Sequence, residues 1–289
     1  MMMHSDWRIH LASQVAGTYP ADAVLLVGSA ANGLADAWSD LDLLMYWPTV
    51  PDVAIRHQIA ERLGGLDITL EDTTDGDFAL QSLGDTYRLG DNALKVDITH
   101  KTQASFEALI ADVTQKYDLN EIKLGVLNGY MGGIAITGHD LIAQWRSQIG
   151  DLPMGMVQPL LDHYLKLTAY DLVLMIVRRE DTLFARDLIT GWCTAIIMAL
   201  HVLNRQYPPL RPKHLATLCE MMTYQPANLA ARIQKICDAP INEALNMAKP
   251  LIEETLNLIA RHGYDVSSAR ERFQQVRLPN HRPIDLDQA

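Results

Sequence analysis

Apolar and polar positions follow two different periods along this chain of 289 residues. In the first hundred residues, short apolar runs are interleaved with helical spacing. Val24 to Val27 is an apolar run that ends at Gly28-Ser29. Leu41, Leu43 and Met45 alternate with Asp40, Asp42 and Leu44, the pattern of a strand with one acidic face near its start. Ile55 to Leu63 predicts a helix closed by Gly64-Gly65, a helix stop rather than a phosphate loop. Leu66 to Leu70 reads as a further strand. Leu80 to Tyr87 and Ala93 to Thr99 predict two more, joined around the turn sequence Gly90-Asp91-Asn92.

Beyond about Lys101 the pattern changes. Ser105 to Val113 and Leu119 to Asn128 have helical spacing, and Gly132 to Gly138 holds one last short strand. From about Met156 onward nearly everything is helical in period. Leu160, Leu161, Tyr164, Leu165 and Leu167 to Leu174 predict one long apolar-faced helix, and Leu183 to Tyr207 a second, stopped by Pro208-Pro209. Shorter helices are expected near Lys213 to Met222, Ala227 to Cys237 and Ile241 to His262, then a polar, proline-containing tail from Leu278 to Ala289. No internal repeat is present. The fold class is α+β: a mixed sheet flanked by helices in residues 1–150, then a helical bundle in 151–289.

Composition narrows the setting. The length suggests about two domains, large enough to build cores without disulfide or metal staples. With 48% hydrophobic and 20% charged residues, the chain is ordinary for a soluble globular protein. Cys193, Cys219 and Cys237 fit neither a disulfide framework nor a zinc site, which points to a reducing cytoplasm. The start, MMMHSDWRIH, has no apolar core of a signal peptide. Trp192 to Leu203, the longest nearly apolar stretch, is broken by Thr194 and His201 and is shorter than the ~20 residues a membrane span needs. A net charge of −11 argues against a nucleic-acid partner, because backbone affinity comes from clustered Lys and Arg. It is compatible with a cationic small molecule without establishing one.

The segment that carries chemistry is Leu25 to Met45, LLVGSAANGLADAWSDLDLLM. A glycine at a strand end lets a phosphate group approach the backbone, where loop amides and the Ser29 hydroxyl can cradle its oxygens. Asp40 and Asp42 project from one face because strand side chains alternate. At ~5 Å and an effective dielectric of ~20, each carboxylate pair repels by roughly 3 kcal/mol. Such a cluster wants a cation, and oxygen-only ligands with substrate phosphates suit Mg²⁺. Asp97, the one acid in the β-prone run Leu94 to Thr99, is the candidate for the third carboxylate. Gly-Ser followed by Asp-x-Asp at one fixed spacing arises by chance in fewer than about 1% of chains this long. No P-loop lysine follows Gly28, which disfavours a Walker-type ATPase.

Gly28, Ser29, Gly33, Ser39, Asp40, Asp42 and Leu43 resemble the pattern of the nucleotidyltransferase superfamily that includes DNA polymerase β and the aminoglycoside and lincosamide nucleotidyltransferases. The likeness spans roughly residues 20–100. It implies an N-terminal nucleotidyltransferase domain in which Gly28 and Ser29, with Ser39, bind a nucleoside triphosphate, expected to be ATP. It implies that Asp40 and Asp42 bind two Mg²⁺ ions, and that Asp97 binds the catalytic one and can draw the acceptor's proton. The stretch Leu200 to Lys213 resembles, more loosely, the helix of bacterial small-molecule members that ends in Asn-x-x-Tyr-Pro and a basic residue. That makes Lys213 a candidate phosphate contact and Arg178 or Arg179 a weaker one, although a solvated surface lysine is the commoner outcome.

Bland readings compete elsewhere. Glu180-Asp181 reads as a polar cap before a helix, His100 as an exposed strand-end histidine, and Tyr164, Tyr170 and Met221-Met222 as core. The expected activity is transfer of a nucleoside monophosphate to a hydroxyl of a small molecule, an aminoglycoside- or lincosamide-like antibiotic being one candidate. A protein adenylyltransferase like those of toxin–antitoxin pairs is the alternative, disfavoured by the long helical half. A non-catalytic nucleotide-binding regulator is a third, disfavoured because all three acids are present. The expected partners are a nucleoside triphosphate and a small acceptor, without nucleic acid or membrane.

Overall fold

The computed structural model describes residues 3–74 and 76–275. These form two compact units: the first runs to Pro153 and also takes Tyr207–Leu210, and the second runs from Met154 to Gln206 and from Arg211 onward. The expected polar tail from Leu278 lies outside the described residues.

The first unit contains α1 (Met3–Ala16), β1 (Ala23–Val27), a single turn α2 (Gly28–Ala31), β2 (Leu41–Trp47), α3 (Val53–Arg62), β3 (Leu66–Leu70), β4 (Leu83–Leu89), β5 (Leu94–Thr102), α4 (Gln103–Thr114), α5 (Glu121–Met131), β6 (Ile134–Thr137) and α6 (His139–Ile149). The strands make one sheet in the order β3-β4-β5-β2-β1-β6. β2 and β5 are parallel, and every other neighbouring pair is antiparallel. The α+β class and mixed sheet expected from the sequence are therefore observed. The hairpin turn at Gly90 and the stop at Gly64-Gly65 form as predicted, Gly64 at φ +77 with its N–H on Glu61 O.

Strand alternation splits the buried residues between two layers. Leu41, Leu43, Met45, Val96 and Ile98 face one way and join Ala12, Val15 and Ile59 from α1 and α3 in a single core. On the other face Tyr46 packs on Phe106 of α4 at 4.8 Å and Trp145 of α6 at 5.0 Å between ring centroids. β1 has apolar side chains on both faces and four of its five residues are buried, as expected of an interior strand.

Two buried ionic groups brace this unit. Arg56 of α3 pairs with Asp85 of β4, both side chains fully buried, and also donates to Pro51 O and Glu71 O. Trp47 Nε1 donates to His100 Nδ1 at 3.1 Å. The His100 Nε2–H therefore donates to Asp85 Oδ2 at 2.8 Å, which makes the imidazole neutral. Burial pushes the His100 pKa down, against the pull of Asp85. His100 is thus a core residue, not the exposed strand-end histidine expected: its period-2 position turns it toward Asp85 rather than toward water. The second group is centred on Lys123 of α5, a buried ammonium bonded to Asp77 at 2.8 Å, Asp112 at 2.6 Å and Asp118 at 2.9 Å.

The second unit contains α7 (Met154–Tyr164), α8 (Tyr170–Arg178), α9 (Thr182–Leu203), α10 (Leu215–Glu220), α11 (Leu229–Asp238), α12 (Ile241–Arg261) and α13 (Ser267–Gln274). The single long helix expected over residues 160–174 is in fact two. Between them Leu165, Leu167 and Ala169 are buried while Lys166 is exposed, so this core takes alternate residues and favours an extended link over a continuous helix. α9 stops at Leu203, short of Tyr207, where the Asn204 side chain turns back onto Leu200 O and Tyr224 O. By length and composition α9 is long and apolar enough to cross a membrane, which the narrower window Trp192 to Leu203 did not suggest; half of its most apolar 18-residue window is buried in the structure. Asp181 caps α9 through the Phe184 N–H, as read from the sequence. Met222 is core but Met221 is exposed, because α10 ends at Glu220. Tyr164 and Tyr170 are half-buried rather than fully enclosed.

Candidate metal centre

The register of the central strands builds the site. Asp42 of β2 lies opposite Asp97 of the parallel strand β5 and opposite Val27, the last residue of β1. Asp40 stands two residues earlier, just before β2 begins. These three half-buried aspartates each offer a carboxylate oxygen, and the three oxygens lie within 4.8 Å of one another. An all-oxygen, triply anionic donor set of this size suits a hard divalent ion whose remaining ligands are water or phosphate oxygens. The expected trio is therefore brought together by the fold and could hold a metal ion.

Gly28 supplies the wall beside it. Its φ is +71, and a Cβ there would fall on the Asp42 carboxylate. The turn that follows is held by Asn32 Nδ2 on Gly28 O at 3.2 Å and by Leu34 N–H on Ser29 O at 3.0 Å. Ser29 is half-buried at the first position after that close approach.

Ser39 stands at the entry to Asp40 and bonds within its own loop. Its hydroxyl accepts from the Asp36 N–H at 3.0 Å and donates to Asp36 Oδ1 at 2.9 Å, so it braces the loop that leads into Asp40. The Trp38 N–H and the Ser39 hydroxyl hold the Asp36 carboxyl below its usual range. Arg8 of α1, nearly fully buried, donates to Asp36 O at 2.6 Å and Ser39 O at 2.9 Å. Trp38, between those carbonyls, is 94% exposed. Lys213 is exposed in the second unit, two residues before α10, and Arg178 and Arg179 are exposed at the end of α8.

Three residues that the sequence reading passed over belong to this site. Thr86 of β4 faces Asp97 and donates its hydroxyl to Asp97 Oδ1 at 2.6 Å. Lys95, two residues before Asp97 and therefore on its face of β5, reaches Asp97 Oδ2 at 2.5 Å. That bond raises the Lys95 pKa above the ordinary lysine range, and the charges of Asp97, Asp40 and Asp42 act in the same direction. The strand period alone pairs Lys95 with Asp97. Thr86 depends on the hairpin register. Arg8, Ala12, Val15 and Ala16 form a helical stripe in the first sixteen residues, a signal for both α1 and its inward arginine.

No family model matches the chain, and no curated protein matches it. Among solved structures, the chain is similar to a nucleotidyltransferase-like protein from Exiguobacterium sibiricum 255-15, with a TM-score of 0.38 and 11% identity, over 87% of this chain and 74% of that one.

Proposed function

We propose that the first unit transfers a nucleoside monophosphate from a nucleoside triphosphate to a hydroxyl of a small molecule and releases pyrophosphate. The observation that carries this is the convergence of Asp40, Asp42 and Asp97 beside the Gly28 turn. The residue pattern from Gly28 to Leu43, which resembles nucleotidyltransferases, supports the same reading. In it Asp40 and Asp42 hold two Mg²⁺ ions and Asp97 one of them. Bound Mg²⁺ supplies charge neutralisation at the reacting phosphate and the leaving pyrophosphate.

The chain's own groups position and move protons. Backbone amides near Gly28 and the Ser29 hydroxyl donate to phosphate oxygens. The acceptor oxygen bonds to the α-phosphorus as the bond to pyrophosphate breaks, and its proton passes toward the Asp97 carboxylate. Positioning and charge compensation carry most of such a reaction. ATP is the first donor to test. The net charge of −11 makes cationic acceptors, aminoglycosides among them, the first class to try. Lincosamide-like and neutral hydroxyl compounds follow.

The test is pyrophosphate release from each nucleoside triphosphate with Mg²⁺ across pooled hydroxyl-bearing acceptors, run beside Asp42→Asn. Acceptor-dependent release that vanishes in the variant is expected. Full activity in Asp42→Asn overturns the site. Triphosphate binding without turnover of any small molecule transfers the reading to a protein acceptor or a regulator.

A further inference from the structure

Both oxygens of Asp97 are engaged, and by partners of different character. Thr86 holds Oδ1 from the neighbouring strand, within the hydrogen-bonded ladder of β4 and β5. Lys95 holds Oδ2 only by the tip of a side chain that is 44% exposed. Because the two residues are i and i+2 on one strand, this ion pair can open by side-chain rotation without moving the backbone. The ammonium is attracted by all three carboxylates, and a divalent ion seated on the same three must contest Asp97 Oδ2 with it.

We propose that Lys95 is a built-in counter-ion: it compensates the acids before metal and triphosphate arrive, then leaves Asp97 for a phosphate oxygen when both are bound. The inference rests on reading the acids as a metal-and-nucleotide site. Charge bookkeeping explains why a lysine belongs there. Two divalent ions and a fully ionised triphosphate cancel one another, so the site has the same net charge before and after loading. One fixed positive charge is therefore useful in both states. A permanent cation there also discourages metal from binding without nucleotide, since the ion alone must displace the ammonium.

The experiment measures Mn²⁺ binding by electron paramagnetic resonance without nucleotide, and then binding of a non-hydrolysable triphosphate at saturating Mn²⁺. It compares the wild type with Lys95→Met, Lys95→Arg and Asp42→Asn. Lys95→Met should bind Mn²⁺ alone about fivefold more tightly and the triphosphate about tenfold more weakly. Lys95→Arg should stay close to wild type in both. The two opposite shifts separate this role from a merely structural one. If Asp42→Asn abolishes Mn²⁺ binding while either shift is missing in Lys95→Met, the counter-ion role fails and the metal site stands. If the wild type and Asp42→Asn bind Mn²⁺ equally, or if neither the wild type nor Lys95→Met binds it even with the triphosphate present, the site itself is refuted and the inference falls with it.

Discussion

Replacing Asp42 by asparagine keeps the side chain's shape and removes one of three charges whose oxygens lie within 4.8 Å of one another. At that separation two carboxylates repel by roughly 3.5 kcal/mol at an effective dielectric of ~20, and by roughly 0.9 kcal/mol in bulk water. All three aspartates are half-buried, and solvent screening pulls the value toward the lower figure. Two repulsive pairs are relieved, with Asp40 and with Asp97, and one attraction, to the Lys95 ammonium, is lost, while Lys95 stays on Asp97. The net gain is about 2 kcal/mol, which for a domain of this size raises Tm by about 4–8 °C. The assay is thermal unfolding at low ionic strength without divalent metal, repeated with Mn²⁺. The wild type melts lower and rises on adding metal, because an ion bound only to the native state stabilises it by mass action. The variant melts higher and does not rise. Monovalent salt narrows the gap between them. A variant that melts below the wild type at low salt, or keeps the metal-induced rise, refutes the reasoning.

Gly28→Ala places a Cβ on the Asp42 carboxylate at φ +71, a conformation that costs a side-chain-bearing residue about 1–2 kcal/mol. Displacing the carboxylate should lower transfer about 100-fold, with a smaller fall in Tm; near-normal turnover in a kinetic assay would count against the close approach. Arg8→Met removes the donors to Asp36 O and Ser39 O, each charge-assisted bond being worth about 1.5–3 kcal/mol. Amide exchange at Trp38 and Ser39 should accelerate, read by mass spectrometry, while the β1–β2 ladder stays protected. Lys123→Met leaves Asp77, Asp112 and Asp118 without their shared cation and should cost about 2–4 kcal/mol by urea unfolding, less than a fully enclosed pair because two of the acids are partly exposed. Hydrogen bonds from Lys123 hold the Asp77 carboxyl below its ordinary 3.8, and bonds from Lys116 and Lys123 do so for Asp112. Their stabilisation is complete above that value and is lost as pH falls below 3.8 through the lowered folded values. The acid limb of the wild-type stability profile should therefore be steeper than that of Lys123→Met, and equal limbs would refute the pairing.

Much of the first unit was legible in the sequence because strand period and turn chemistry are local. Val24–Val27, Leu66–Leu70 and the Gly90 hairpin form within a few residues of their expected places, and Gly28, Asp40 and Asp42 belong to one short motif whose spacing already implies a shared site. Asp97 was legible as the one acid in a β-prone run. Its partner strand was not, since β2 and β5 are some fifty residues apart in the chain and only the parallel pairing sets Asp42 opposite Asp97. The same holds for Arg8, which reaches the loop before Asp40 from a helix at the start of the chain, and for Thr86, whose hydroxyl meets Asp97 only in the register of β4 and β5. His100 shows the converse. A local view placed it in water, whereas Asp85 and Trp47 enclose it from two other strands. Helical spacing over residues 160–174 was equally local, and the second unit's core overrode it by burying Leu165, Leu167 and Ala169 in alternation. By itself the sequence determined which acids are candidates for a metal site and which elements they sit on. The tertiary structure decided which of them meet, because strand register and burial are set by contacts across the sheet that no local period encodes.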